Sequence, residues 1–164
     1  MNAVEIVPIA PEHIESFHRA LDFVARERRY LAFLEAPPLE STRAFVLDMI
    51  KRRYPQFVAL SGLEVVGWCD VTPKTMPVYA HSGVLGIALL PPFRGQGIGK
   101  RLILRALDAA RAIGLQRVEL TVRETNTGAI ELYKKVGFEV EGPPRRAVRL
   151  DGADENIVCM ALLF

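Results

Sequence analysis

A chain of 164 residues, half of them hydrophobic, is expected to form one domain spanning 1–164 and to bury roughly 70% of its unfolded surface. Its formal net charge of +2 gives no reason to invoke nucleic acid or a membrane surface, and no apolar run approaches the ~20 residues that cross a bilayer. The start Met1-Asn2-Ala3-Val4-Glu5-Ile6 lacks a basic stretch followed by an apolar segment, so a cytoplasmic location is expected.

Taken in chain order, Val4 to Ile9 predicts a first strand. Pro11 to about Glu27 predicts a helix, since His13, Phe17, Leu21 and Val24 share a face and Pro11 suits a first turn. A loop containing Pro37-Pro38 leads to a second helix, Ser41 to Arg53, with Phe45, Met49 and Ile50 on its apolar side. Phe57 to Leu60 and Val65 to Val71, either side of Ser61-Gly62, predict a hairpin. Thr72 to Ser82, with Pro73 and Pro77, reads as a loop before a buried strand, Gly83 to Leu90. Beyond Gly99, Leu102, Ala106, Ala109, Ala110 and Ile113 recur at helical spacing until Gly114 supplies a stop. Gln116 to Val122 alternates as a strand, and a short helix follows from an Asn126 cap to Gly137. Arg145 to Leu150 and Asn156 to Phe164 predict a closing hairpin around Asp151-Gly152. The sum is an α+β fold, a mixed sheet with helices on its faces. Cys69 and Cys159 fall in apolar strands without metal-ligand spacing and read as buried free thiols; no metal site is expected. The clusters Arg26-Arg28-Arg29, Lys51-Arg52-Arg53 and Arg145-Arg146 read as solvated surface.

The most informative stretch is Leu89-Leu90-Pro91-Pro92-Phe93-Arg94-Gly95-Gln96-Gly97-Ile98-Gly99. It joins the buried strand to the third helix, yet no Ser, Thr, Asp or Asn between Arg94 and Gly99 is available to cap that helix's first N–H groups. Free amides, a favourable dipole and glycines that admit a ligand to the backbone suit a phosphate. A dinucleotide fingerprint needs a third glycine at 102, which is Leu, and a P-loop needs Ser or Thr after Gly99-Lys100, where Arg101 stands.

Arg94-x-x-Gly97-x-Gly99 after strand-Pro91 resembles the acyl-CoA pyrophosphate loop of the GNAT N-acetyltransferase superfamily. Asn126-Thr127-Gly128-Ala129-Ile130-Glu131-Leu132-Tyr133-Lys134-Lys135-Val136-Gly137-Phe138 resembles its second signature, in the right order and at the usual separation. The resemblance runs from about Gly62 to the C-terminus. It implies the GNAT acyl-CoA N-acyltransferase fold, with a mixed, mostly antiparallel sheet of about seven strands and about four helices. It also implies acetyl-CoA as the donor, a primary amine as the acceptor, and, because members often pair, room for a homodimer.

By the same resemblance, the backbone of Leu89, Leu90 and Pro91 meets the pantetheine, and Arg94, Gly95, Gln96, Gly97, Ile98, Gly99 and Lys100 surround the pyrophosphate. Arg94 serves either the loop or a phosphate. Asn126 caps its helix and is available to hydrogen-bond CoA. Tyr133 matches the general acid, since a phenol with pKa near ~10 stays protonated at neutral pH and can supply a departing thiolate. The oxyanion donor is expected to be a backbone N–H near Leu89.

Relatives that acetylate protein N-termini often carry a glutamate where this chain has Thr121. Glu119 and Glu124 are out of register with it by two or three residues, roughly 6 to 10 Å along a strand. An α-amine with pKa near ~8 needs less help to lose its proton than a lysine near ~10.4. The expected acceptor is therefore a small amino acid or amine metabolite. A protein N-terminus, an antibiotic or toxin amine, and a non-catalytic acetyl-CoA sensor are the alternatives. The acceptor pocket is expected around Tyr30, Glu35, Asp70, His81 and the closing hairpin.

Overall fold

A computed structural model describes residues 3–164; Met1 and Asn2, where the leader reading begins, lie outside the described residues. The main sheet has seven strands in the order β1-β2-β3-β4-β5-β9-β6. These are β1 (Val4–Pro8), β2 (Gln56–Ser61), β3 (Glu64–Pro73), β4 (Ser82–Leu89), β5 (Arg117–Arg123), β9 (Ile157–Leu163) and β6 (Glu139–Gly142). All neighbours run antiparallel except β4 and β5. Four helices, α1 (Ile14–Arg26), α2 (Leu39–Arg52), α3 (Ile98–Ala112) and α4 (Thr127–Val136), complete the expected α+β architecture. Among the described residues no helix is long and apolar enough to cross a membrane.

Strand alternation divides the core in two. Val58 and Trp68 point to one face, where Ile14, Phe17, Leu21 and Val24 of α1 and Val46 of α2 cover them. Phe17 meets Trp68 edge to face with ring centroids 5.3 Å apart. Cys69, Val71 and Val118 point the other way, onto Leu102, Ile103 and Ala106 of α3. The period of 2 in the strands and 3.6 in the helices thus produces a three-layer stack.

The helices start and stop where the local chemistry requires, within two or three residues of expectation. Pro11 to His13 form a 3₁₀ turn ahead of α1 rather than part of it, and α2 begins at Leu39 directly after Pro38. Strand β3 runs on to Pro73, shortening the expected loop, which contains a second 3₁₀ turn at Pro77–Tyr79.

The closing hairpin differs from expectation. Asp151 and Gly152 both have positive φ, 50° and 79°, as a two-residue hairpin turn requires. That turn pairs its immediate neighbours, so β7 (Val148–Leu150) and β8 (Ala153–Glu155) make a separate two-stranded ribbon. The apolar run that follows, Ile157–Leu163, enters the main sheet instead, between β5 and a strand not anticipated from sequence, β6. A continuous apolar run suits an interior strand better than a surface hairpin.

Candidate active site

Strands β4 and β5 are paired only from Ser82 to Val84 against Arg117 to Glu119. Further along, β5 stays with β9 and β4 stays with β3, so the sheet splits. The Leu90 N–H donates to Val66 O at 2.8 Å, which makes the even residues of β4 the ones bonded to β3. The N–H and C=O groups of Ile87 and Leu89 consequently face the split. Leu89 O accepts the Arg94 Nε–H at 2.9 Å, leaving the Leu89 N–H and both groups of Ile87 along the open edge.

A cavity of about 410 Å³ fills that split. One end is the start of α3. Gly97 is the residue before the helix, with φ 81° and no side-chain cap, and Gly95 has φ 73°. A Cβ on either would meet nothing within 4 Å, so both glycines are needed for backbone conformation rather than for space within the protein. Gly99 has the opposite reason: a Cβ there would lie 3.3 Å from Leu132, and its absence lets α3 pack on α4. The first helical bond is Arg101 N–H to Gly97 O, so the preceding amides open on the cavity unspent. Ile98 is buried, Lys100 is exposed at the rim, and Gln96 folds back to donate to Pro92 O at 2.7 Å.

Arg94 is committed internally. Besides Leu89 O it holds Glu27 at 2.6 and 3.1 Å and lies 4.7 Å above the Tyr30 ring, tying the end of β4 to the end of α1. Between its two options, loop or phosphate, the geometry is that of a loop brace. Pro91 is exposed in the 3₁₀ turn after β4, and Leu90 packs among the partly buried core residues.

Tyr133 stands in the cavity opposite Ile87 and Leu89. The residue is buried, its ring packs 5.9 Å from Phe138, and among the described residues its hydroxyl has no hydrogen-bond partner. Burial pushes its pKa well above the ordinary phenol value. The end of α4 fixes this ring. Gly137, at φ 117°, lets Phe138 N–H reach back to Tyr133 O at 3.0 Å, and the same Phe138 packs on the tyrosine ring. Gly137→Ala is expected to cost about 1–2 kcal/mol, the penalty of a Cβ in a left-handed conformation; urea unfolding measures it, and an unchanged midpoint would contradict it. Asn126 also lines the cavity and caps α4, its Oδ1 accepting from Ala129 N–H at 3.4 Å.

The expected acceptor residues scatter. Tyr30 lines the cavity beside Arg94. Glu35 is exposed and pairs with Arg26 at 3.3 Å. His81 sits at the paired end of β4, its carbonyl accepting from Gln116 and Arg117, six residues or about 20 Å of strand from Ile87. Glu119 is engaged by Lys74 and Arg117, which hold its pKa low. Thr121 faces another hollow, with Tyr30, Arg123 and the β7 residues Val148 to Leu150.

Asp70 differs from all of these. It lies on β3 opposite Gly86, and among the described residues its carboxylate has no ion pair or hydrogen bond, so burial alone raises its pKa to about 7. Native protein therefore binds a proton that the unfolded chain, with aspartate near 3.8, releases, and stability falls as pH climbs from about 4 to about 7. Asp70→Asn is expected to remove that slope and to stabilise the protein at pH 8, by at most about 4 kcal/mol. Thermal unfolding at pH 5 and pH 8 checks it; equal slopes for both proteins would contradict it. Asp70 was expected from the sequence to lie near an acceptor; its neighbours Gln56, directly across on β2, and Thr42, Phe45 and Trp68, which line one cavity with it, were not expected there. The available signal was a glutamine and an aspartate inside otherwise apolar strands.

The model of the acetyltransferase (GNAT) family matches residues 18–138. The chain is similar to the N-alpha-acetyltransferase RimI of Mycobacterium tuberculosis, 39% identical over 98 residues, 58% of this chain and 59% of that protein. It is similar also to the L-amino acid N-acetyltransferase AaaT of Escherichia coli, 30% identical over 107 residues, 65% of this chain and 66% of that protein. Both matches span less than two thirds of the relative's length. In fold it resembles yncA of Salmonella typhimurium, solved with its cofactor acetyl-CoA, with a TM-score of 0.92 at 17% identity over 99% of this chain and 94% of that one.

Proposed function

The chain belongs to the acetyltransferase (GNAT) family, and on that premise we propose that it transfers the acetyl group of acetyl-CoA to the primary amine of a small amino acid or amine metabolite, with Tyr133 as general acid. One observation carries this reading. The uncapped start of α3, the unpaired edge of β4 and the buried Tyr133 all open on a single cavity.

Acetyl-CoA, when bound, supplies an activated carbonyl and a thiol leaving group. The amides ahead of Arg101, backed by the α3 dipole, hold the diphosphate. Ile87 offers an N–H and a C=O to the pantetheine amides, as a neighbouring strand would. The Leu89 N–H stabilises the carbonyl oxygen as it gains charge. Tyr133, kept protonated by burial, gives its proton to the departing sulfur. Asn126 faces the same cavity, where it is available to hydrogen-bond the cofactor.

The experiment is thiol release from acetyl-CoA by the purified protein across a panel of amino acids, amines and peptides. Turnover with a small amine is the expected result. Acetyl-CoA binding with no amine raising release above background hydrolysis would overturn the reading and leave a sensor module.

A further inference from the structure

A second cavity, of about 430 Å³, lies on the opposite face of the sheet, between α1, α2, the segment 27–38 and the β3–β4 surface. Its walls are aromatic and aliphatic, with Phe17, Phe33, Phe45, Trp68, Leu21 and Leu31 among them. It meets the cavity of Tyr133 at Ile87, the residue whose backbone faces the split in the sheet. An acceptor seated there approaches the same point of β4 from the other side.

Its polar side chains are Ser41, Thr42 and Asp70. Asp70, half-buried, lines both this cavity and an adjoining hollow whose Lys74 is paired with Glu119, and among the described residues it has no ion pair of its own. Thr42, 4% exposed on α2, lines it too, and among the described residues its Oγ1 has no hydrogen-bond partner. Behind the lining, Gln56, 3% exposed, sits directly across from Asp70 on β2, and among the described residues neither end of its amide has a partner. Opposite Asp70 on its other side is Gly86, where a Cβ would come within 3.5 Å of the carboxylate. The row Gln56, Asp70, Gly86 thus sets one acid beside an open space in an apolar wall. Among the described residues no Lys, Arg or His lines the cavity.

Buried polar groups without partners are costly, and one lone carboxylate calls for a cation. Nothing among these walls answers a second carboxylate brought in by a ligand. Resting on the transferase reading above, we propose that this cavity is the acceptor site and that it takes a primary amine with an apolar or aromatic body and no carboxylate, its nitrogen held by Asp70. Free amino acids are disfavoured, because their own carboxylate would be desolvated here unpaired. Asp70 takes one proton from the ammonium. The nitrogen then forms its bond to the thioester carbonyl carbon, and the carbon–sulfur bond breaks. The nitrogen's second proton leaves to solvent, the sulfur takes the proton of Tyr133, and solvent restores Tyr133 and strips Asp70. The sum is one amide, one thiol and one proton released. A carboxylate with pKa near 7 is matched to that task at neutral pH.

Trp68 is the single tryptophan of the chain and lines this cavity, so its fluorescence reports occupancy without turnover. The test titrates the protein with phenethylamine and phenylalanine, and with 3-methylbutylamine and leucine, and measures thiol release from acetyl-CoA with the same four compounds and with a phenylalanine-initiated tetrapeptide. The expected result is a saturable Trp68 change with each amine and kcat/KM at least about 10-fold above its amino acid, the scale of one unpaired buried charge. Asp70→Asn is expected to lower kcat/KM for phenethylamine by at least about 10-fold with the Kd of acetyl-CoA unchanged, while unfolding curves show it folded. Equal use of phenylalanine, better use of the tetrapeptide, or turnover of phenethylamine with no Trp68 response would overturn this assignment and leave the transferase standing. No release with any compound, despite acetyl-CoA binding, would overturn both.

Discussion

Tyr133→Phe is expected to lower kcat by on the order of 100-fold or more, the usual contribution of a positioned general acid. The KM for acetyl-CoA and the unfolding midpoint should hardly move. The ring, which packs against Phe138, is retained, and the lost hydroxyl has no partner among the described residues. Pre-steady-state and steady-state thiol release, beside a urea melt, separate the two quantities. A kcat within threefold of the parent would show that the phenol does not supply the proton. Because burial holds the Tyr133 pKa above the ordinary value, the parent's kcat should also show no falling limb up to about pH 10.

The second large effect is expected at the start of α3. Gly97→Asp places a negative charge where we propose that the diphosphate binds, and the Kd of acetyl-CoA should rise on the order of 100-fold, near 2.7 kcal/mol. Aspartate tolerates the left-handed conformation better than most residues, and a Cβ at 97 meets nothing within 4 Å. Folding stability should therefore change by about 1 kcal/mol or less, because a carboxylate near a helix N-terminus offsets part of the backbone strain. Calorimetric titration with acetyl-CoA checks affinity, and thermal unfolding checks integrity. Undiminished affinity would remove the diphosphate from this helix end.

Much of the donor half of the site, as we propose it, is legible along the chain because it is built from neighbours in sequence. The glycine turn, the missing cap, the Asn126 start and the Gly137-Phe138 stop each depend on φ values and hydrogen bonds spanning six residues or fewer. Even Tyr133 is set by this local logic, since the residue that follows the helix-ending Gly137 packs on its ring. Arg94 was readable only as an ambiguous cation. Its commitment to Glu27, 67 positions away, needs α1 and the end of β4 brought together.

The acceptor half, as we infer it, obeys different physics. Strand register decides it: Gln56, Asp70 and Gly86 share a row because β2, β3 and β4 pair as they do, and a slip of one residue would turn Asp70 into the α3 core. The same long-range choice sent Ile157–Leu163 into the sheet interior and left the Asp151-Gly152 hairpin as a ribbon of its own. The sequence by itself determined the four helices, most of the strands and the glycine turn ahead of α3, because those follow from local sterics and hydrogen bonding. Only the tertiary structure decided where the sheet splits, which face each side chain takes, and that a lone carboxylate stands in an aromatic cavity, because pairing between distant strands has no local signature.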